Sequence, residues 1–281
     1  MKLQELLQHG ENSLQSEDAK LEAWILFSEV FQMDRAQYFL NMQREAAESD
    51  IRKYSKMIYR RQKGEPVAYI IGNWEFMGLT FRVNPAVLIP RPDTETLVEA
   101  VIEWAKGRQA ELAAPDILDL CTGSGCIAIS LAYYLQKCRV EAADISPEAI
   151  AVAEANAKLN GVFVDFWQGD LWEALPAGRQ YDVITSNPPY IDWKQLKELD
   201  TDVIDHEPRL ALDGGEDGLI FYRRLAERTR EFLKEGGRAF WEIGYDQGET
   251  AAAIARGHGL RLIEVRKDLA GHDRVVIVEK E

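Results

Sequence analysis

Residues 185 to 191 read TSNPPYI. A β-branched run, Val183-Ile184-Thr185, stops at Asn187-Pro188-Pro189-Tyr190. Prolines end a strand anywhere, but an amide set just before two of them suits one kind of chemistry. The nitrogen of an amide, or of an amino group on a base, is planar. Its lone pair is delocalised and it is a poor nucleophile. Hydrogen bonds accepted from its two N–H groups strengthen as positive charge builds on it in a transition state. Two acceptors are needed. Asn187 offers its side-chain oxygen, and a carbonyl held rigidly by the prolines, most simply that of Pro188, offers the second. Neither proline has an N–H to compete, and both fix φ. Tyr190 can stack on a flat amide or base. Asn187, Pro188, Pro189 and Tyr190 are therefore candidate substrate residues, with Asn187 and Pro188 as the catalytic pair for methylation of an sp² nitrogen.

A second cluster lies upstream. LDLCTGSGCIA places Gly123, Gly125 and Ala128 at G-x-G-x-x-A spacing, directly after an apolar run. Glycines there let the backbone turn tightly and approach a ligand, and the following helix presents free N–H groups. Asp144 ends the next apolar run, where a carboxylate can accept hydrogen bonds from both ribose hydroxyls. A nicotinamide dehydrogenase fits this pattern as well as a methyltransferase does. Asp119, just before the glycines, separates them. It can face an amino-acid moiety or order the loop, whereas a dinucleotide would bring two phosphates against a carboxylate. Gly169-Asp170 gives a second acidic strand end, suited to the adenine amino group of S-adenosylmethionine.

These residues need a scaffold, and the pattern supplies one. From residue 116 onward apolar runs alternate with helical periodicity: strands DILDLC, VEAADI, VFVDFWQGD, YDVITSN and RAFWEIGY are interleaved with helices at 124–137, SPEAIAVAEANAKLNG, GLIFYRRLAERTREFLKEGG and GETAAAIARGHG. That alternation predicts a parallel sheet covered on both faces. Ser146 is an expected N-cap, with Pro147 in the first turn. The last two strands, LRLIEVRK and RVVIVEK, are joined by a loop too short for a helical crossover, so the final strand runs antiparallel. Residues 1–63 read as helical throughout, 64–92 as a β-hairpin linker with strands in VAYIIGNWEFMGLTFRV, and 93–281 as the catalytic domain, its first helix opening near Asp93 as a cap.

Composition bounds the rest. The chain has 281 residues, 46% of them hydrophobic, and a net charge of −14. All of that excess lies beyond residue 63, because residues 1–63 hold equal numbers of acidic and basic side chains. An acidic chain disfavours direct binding of nucleic acid, whose phosphates must be neutralised. Arg52, Lys56, Arg60 and Lys63 nevertheless share one helical face, a candidate docking surface for an anionic partner. Cys121, Cys126 and Cys138 show no metal spacing, and His9, His206, His258 and His272 are scattered, so no metal site is expected. With neither an apolar span nor a signal segment, a cytoplasmic protein without membrane association is expected, as a monomer.

These residues leave two targets open, an adenine amino group and a glutamine amide. The chain also resembles the HemK/PrmC family, protein-(glutamine-N5) methyltransferases of peptide chain release factors. The likeness runs through PVAYIIGNWEFMGLTFRVNPAVLIPRPDTETLVE, LDLCTGSGCIAIS, SNPPYI, HEPRLALDGGEDGL, EIGYDQGE and DLAGHDRVV. That family often has Gly where this chain has Cys121. The resemblance implies a Rossmann-like class I methyltransferase, with a mostly parallel seven-stranded sheet and an antiparallel last strand, behind a small helical substrate-docking domain. It implies S-adenosylmethionine over Cys121, Thr122, Gly123, Ser124 and Gly125, with Asp119 nearby. It puts Asp144 at the ribose, Asp170 and Leu171 at the adenine, and Asn187 against cofactor and substrate alike. The substrate it implies is the glutamine of a release factor Gly-Gly-Gln motif. A DNA or RNA amino-methyltransferase of the adenine N6 type is the alternative, and it calls for a basic cleft. A dehydrogenase leaves Asn-Pro-Pro-Tyr unexplained.

Overall fold

The computed structural model describes residues 1–108 and 114–280, which divide into two compact units. One comprises Met1–Asn73 with Asp200–His206, and the other Trp74–Leu199 with Glu207–Glu281.

The first unit is helical: α1 (Leu3–Ser13), α2 (Ala19–Phe31), α3 (Arg35–Asn41), α4 (Glu48–Gln62) and α5 (Val67–Ile71). Its core is aromatic. Phe27 meets Trp24, Phe31, Tyr38 and Tyr54. The Tyr54 hydroxyl donates to the Ala23 carbonyl at 3.1 Å. Gly10 makes room for that ring, since a Cβ there would lie 2.0 Å from the Tyr54 oxygen. The segment Val67–Ile71, expected as the first hairpin strand, is the helix α5 instead. Four of its five side chains are buried, so a short apolar run gave no period by which to tell helix from strand. Of the four basic residues expected on one face of α4, Arg52 pairs with Glu48 and Arg60 with Glu65.

The second unit opens at Trp74, within the hairpin of β1 (Asn73–Phe76) and β2 (Leu79–Arg82). Its two-residue turn has positive φ at Met77 (51°) and Gly78 (68°), the twist a tight hairpin requires. Glu95 accepts from the Met77 N–H and Tyr134 donates to its carbonyl, which holds a non-glycine residue in that conformation. Next come α6 (Pro92–Gly107), β3 (Asp116–Leu120), α7 (Cys126–Leu135), β4 (Arg139–Asp144), α8 (Pro147–Leu159), β5 (Asp165–Gln168) and β6 (Tyr181–Ser186). The short helix α9 (Thr201–Ile204), assigned to the first unit, interrupts the long connection to α10 (Ile220–Phe232). β7 (Leu233–Glu242), α11 (Gly248–Gly257), β8 (Leu260–Lys267) and β9 (Asp273–Lys280) complete it.

The seven-stranded sheet has the order β5-β4-β3-β6-β7-β9-β8. β5, β4, β3, β6 and β7 are parallel, and β9 is antiparallel to both its neighbours. Alternate side chains feed two cores. Ile117, Val140, Val183 and Phe240 face α6, α7 and the hairpin, while Leu118, Ile184, Ala239 and Trp241 face α10 and α11. β7 begins at Leu233, inside what reads as the preceding helix. Lys234 there bonds Asp116 at the foot of β3 and Asp182 of β6, ties between segments far apart in sequence. The expected cap by Asp93 is absent: α6 has no side-chain cap, and Asp93 pairs with Arg274 at 3.3 Å. Ser146 does cap α8, accepting from the Ala149 N–H at 3.1 Å. Among the described residues no helix is long and apolar enough to cross a membrane.

Candidate active site

β3 and β6 are neighbours whose next partners lie on opposite sides, so the chain leaves their C-terminal ends in opposite directions and opens a crevice there. The glycine loop follows β3. Gly125 (φ 80°) starts α7, and a Cβ on it would come within 2.8 Å of Ile129 Cδ1 and 3.1 Å of Ala153 Cβ. Glycine there lets α7 close on α8. Gly123 (φ 54°) plays another part: an added Cβ would meet nothing within 4 Å, because this residue borders open cavity. Cys121 shares the left-handed backbone (φ 59°), a conformation glycine adopts without steric cost. Burial pushes its thiol well above the usual range.

Asp119 lies beneath this loop. It is fully buried and accepts hydrogen bonds from the Thr122 hydroxyl at 2.6 Å and the Thr185 hydroxyl at 2.8 Å. Of its two expected roles, it orders the loop and does not reach the cavity wall. Burial raises its carboxyl to about 7, against the pull of the two hydroxyls. Asp144 ends β4 as expected. One oxygen accepts from the Gly123 N–H at 2.8 Å and the other from the Ser146 N–H at 3.0 Å. Burial nonetheless leaves this carboxyl above its ordinary value. Each oxygen keeps a second lone pair for a ligand hydroxyl. Asp170 follows β5 and is tied to Arg224 of α10 at 2.9 Å.

A cavity of about 300 Å³ opens above them. Cys121, Thr122, Gly123, Ser124, Asp144, Asp170, Leu171, Asn187 and Pro189 line it. Asp119, Gly125, Pro188 and Tyr190 do not. Arg91, Thr94, Phe221 and Arg224, which the sequence did not single out, also line it. The volume and the mixed wall suit a small ligand. A nucleoside finds a carboxylate with spare lone pairs, a loop whose glycine leaves space, and apolar surface from Ile145, Leu171 and Phe221. S-adenosylmethionine fits this donor set.

The Asn-Pro-Pro-Tyr segment is held from behind. Gln247 Nε2 donates to the Tyr190 carbonyl at 2.9 Å, while Gln247 Oε1 accepts from the Gly244 N–H and the Tyr222 hydroxyl. Ile191 donates to Leu212 and accepts from Gly214. A Cβ on Gly214 would lie 2.7 Å from the Tyr190 backbone. The segments DGGEDG and EIGYDQGE thus fix the backbone of Tyr190. Asn187 is pinned by its nitrogen, which donates to Thr94 Oγ1 of α6 at 3.2 Å. Among the described residues nothing donates to Asn187 Oδ1 or to the Pro188 carbonyl.

Comparison with known proteins agrees with this geometry. Residues 5–72 match the PrmC N-terminal domain and residues 105–237 the methyltransferase small domain. A release factor glutamine methyltransferase of Clostridium acetobutylicum is 42% identical over 256 residues, covering 90% of this chain and 88% of that protein. One from Bordetella pertussis is 46% identical over 222 residues, covering 79% and 80%. A methyltransferase structure from Pyrococcus furiosus shares the fold at 16% identity, with a TM-score of 0.53 over 82% of this chain and 98% of that one. With identity at this level over most of both chains, the protein belongs to the release factor glutamine methyltransferase family.

Proposed function

We propose that the chain transfers a methyl group from S-adenosylmethionine to the side-chain amide nitrogen of the glutamine in a release factor Gly-Gly-Gln motif. One observation carries this beyond family membership. At the end of β6 an amide is held by its nitrogen, its oxygen is left unengaged, and the residue borders the cavity with the glycine loop and Asp144. When bound, the cofactor supplies a methyl group on a sulfonium leaving group.

The chain supplies position and electrostatics. Asp144 would hold the ribose hydroxyls, the backbone of 121–124 the amino-acid moiety, and Leu171 and Asp170 the adenine. Asn187 Oδ1 and the Pro188 carbonyl accept the two N–H groups of the glutamine amide. Both bonds tighten as charge develops on nitrogen, and both acceptors are preorganised. The surplus proton leaves to solvent once the new bond exists, so no general base is required.

The deciding assay offers the enzyme labelled cofactor with release factor, DNA and ribosomes in parallel. Label should appear on release factor, at the Gly-Gly-Gln glutamine. Label on DNA or ribosomal RNA alone would reassign the substrate to a base.

Asp144→Ala should weaken cofactor binding by about 1.5–3 kcal/mol, the worth of a hydrogen bond to a charged group. The fold should survive. Calorimetry reads this directly, and unchanged affinity would show that the ribose lies elsewhere.

The helical unit is a substrate-docking domain in the same proposal, since a short loop offers little surface and discrimination among glutamines needs remote contacts. Lys56 and Lys63 carry the docking charge, because Arg52 and Arg60 already have carboxylate partners. Reversing both lysines should slow association with intact release factor at low salt and flatten its salt dependence. Cofactor affinity should not change. Unaltered association in stopped-flow measurements would leave this face as surface only.

A further inference from the structure

Glu242 is the last residue of β7, 2% exposed, and its Oε2 has no hydrogen-bond partner. Nothing in the reaction outlined above uses it. A buried carboxylate this poorly satisfied is costly, and the fold retains it directly behind the site. The groups that face it come from every surrounding element. Thr94 and Asp93 belong to α6, Asn187 and Tyr190 follow β6, Tyr222 lies on α10, and Arg274 lies on β9. The β6–β7 register ends on Ser186 opposite Trp241, which sets Glu242 beside Asn187; Thr94 and Arg274 are the groups that most favour its charged form. That arginine is only partly available, because Asp268 and the Ile243 carbonyl take its N–H groups.

The chemistry of Asn187 makes this placement informative. An acceptor for the substrate N–H must be the amide oxygen, so the amide nitrogen must point away from the cavity. Thr94 cannot enforce that choice alone, because a hydroxyl donates or accepts equally well. Turned round, the amide would let Thr94 donate to its oxygen and would present N–H to an incoming N–H. An ionised carboxylate accepts only. Facing Thr94, it would take that hydroxyl's proton and so leave the Thr94 oxygen to accept from Asn187 Nδ2, the bond present at 3.2 Å. One orientation of Asn187 then satisfies every partner.

We propose that Glu242 is a positioning residue which, as the carboxylate and through Thr94, locks the Asn187 amide with Oδ1 towards the substrate nitrogen. This rests on Asn187 being an acceptor for the transferred-to amide. Burial raises the Glu242 carboxyl to about 7, opposed by Thr94 and Arg274. Once protonated, it can itself donate, and the preference for the working orientation is lost. Activity is therefore carried by the deprotonated form. Single-turnover methyl transfer should fall about tenfold per pH unit below an apparent pKa near 7.

The test starts with the wild-type protein. Single-turnover rates at saturating cofactor and release factor are measured from pH 5.5 to 8.5, alongside Glu242→Gln, Thr94→Val and Asn187→Ala. Glu242→Gln should bind cofactor as wild type, lose about tenfold or more in turnover at pH 8 with little change in KM, and show no acidic limb. Thr94→Val should lose turnover similarly. A wild-type rate that is flat between pH 6 and 8 overturns the proposal without any variant. So does a Glu242→Gln enzyme with wild-type turnover, or a slowed one whose acidic limb persists, since that limb would belong to another buried carboxyl such as Asp119. Wild-type turnover by Asn187→Ala removes the acceptor role itself. Loss of activity there with an unaffected Glu242→Gln removes only Glu242.

Discussion

Asn187→Ala should bind S-adenosylmethionine normally and lose roughly 100-fold or more in turnover, the cost of deleting one preorganised donor or acceptor used mainly in a transition state. The side chain lies at the end of β6, on the cavity wall, and its nitrogen is held by Thr94. Removing it breaks little in the ground state, so stability should move by about 1 kcal/mol. The loss should fall on turnover far more than on KM, because an acceptor helps most when the nitrogen has become positive. Isothermal titration with the cofactor, then single-turnover methylation of release factor, separates the two terms. Turnover within a few-fold of wild type would take Asn187 out of the chemistry.

Gly214→Ala should produce the second large effect, at a residue that never meets the ligand. Its Cβ would sit 2.7 Å from both the carbonyl carbon and the Cα of Tyr190, and 3.0 Å from the Gly218 Cα. These are backbone atoms, so the strain cannot be relieved by turning a side chain. The loop of 212–218 or the Asn-Pro-Pro-Tyr segment must move. Overpacking of this kind costs about 1–3 kcal/mol. For a domain of this size the melting temperature should drop by about 2–4 °C per kcal/mol. Displacing the Pro188 carbonyl by even about 1 Å should cost up to about 100-fold in turnover. Cofactor affinity should hold, since the glycine loop and Asp144 lie on other strands. A variant that melts lower yet turns over normally would show that Tyr190 can shift without disturbing its neighbours.

The parts of the site that sequence exposes are those written locally. The glycine spacing, the acid at the end of β4, the Ser146 cap and the amide before two prolines each lie within a few residues of the feature they serve. Thr94, Arg224, Glu242 and Gln247 do not. Thr94 is 93 residues from Asn187, Arg224 is 54 from Asp170, and Gln247 is 57 from Tyr190. Only the strand order brings them together, and periodicity does not encode which loops converge. The same limit explains Asp119, whose place after an apolar run fits a ligand contact and a buried brace equally well. The structure separates the two through Thr185 on the adjacent strand. Leu233 to Gly237 failed for a related reason: charge and glycine look like a helix end until Lys234 finds two carboxylates from other strands.

β9 follows β8 in the chain but lies between β7 and β8 in the sheet. In folding, then, β8 has no native edge to join until β9 is in place. β7 already pairs with β6 but cannot reach β8, and the gap closes only when residues 273–280 arrive. Until that moment α11 and β8 must wait as a tethered, unpaired element, with Leu260 and Ala255 of the core uncovered. The parallel strands can assemble as they appear, but the sheet is completed in a single late insertion. A released chain truncated just short of β9 should therefore be sensitive to proteases over residues 248–267, while the parallel strands stay resistant.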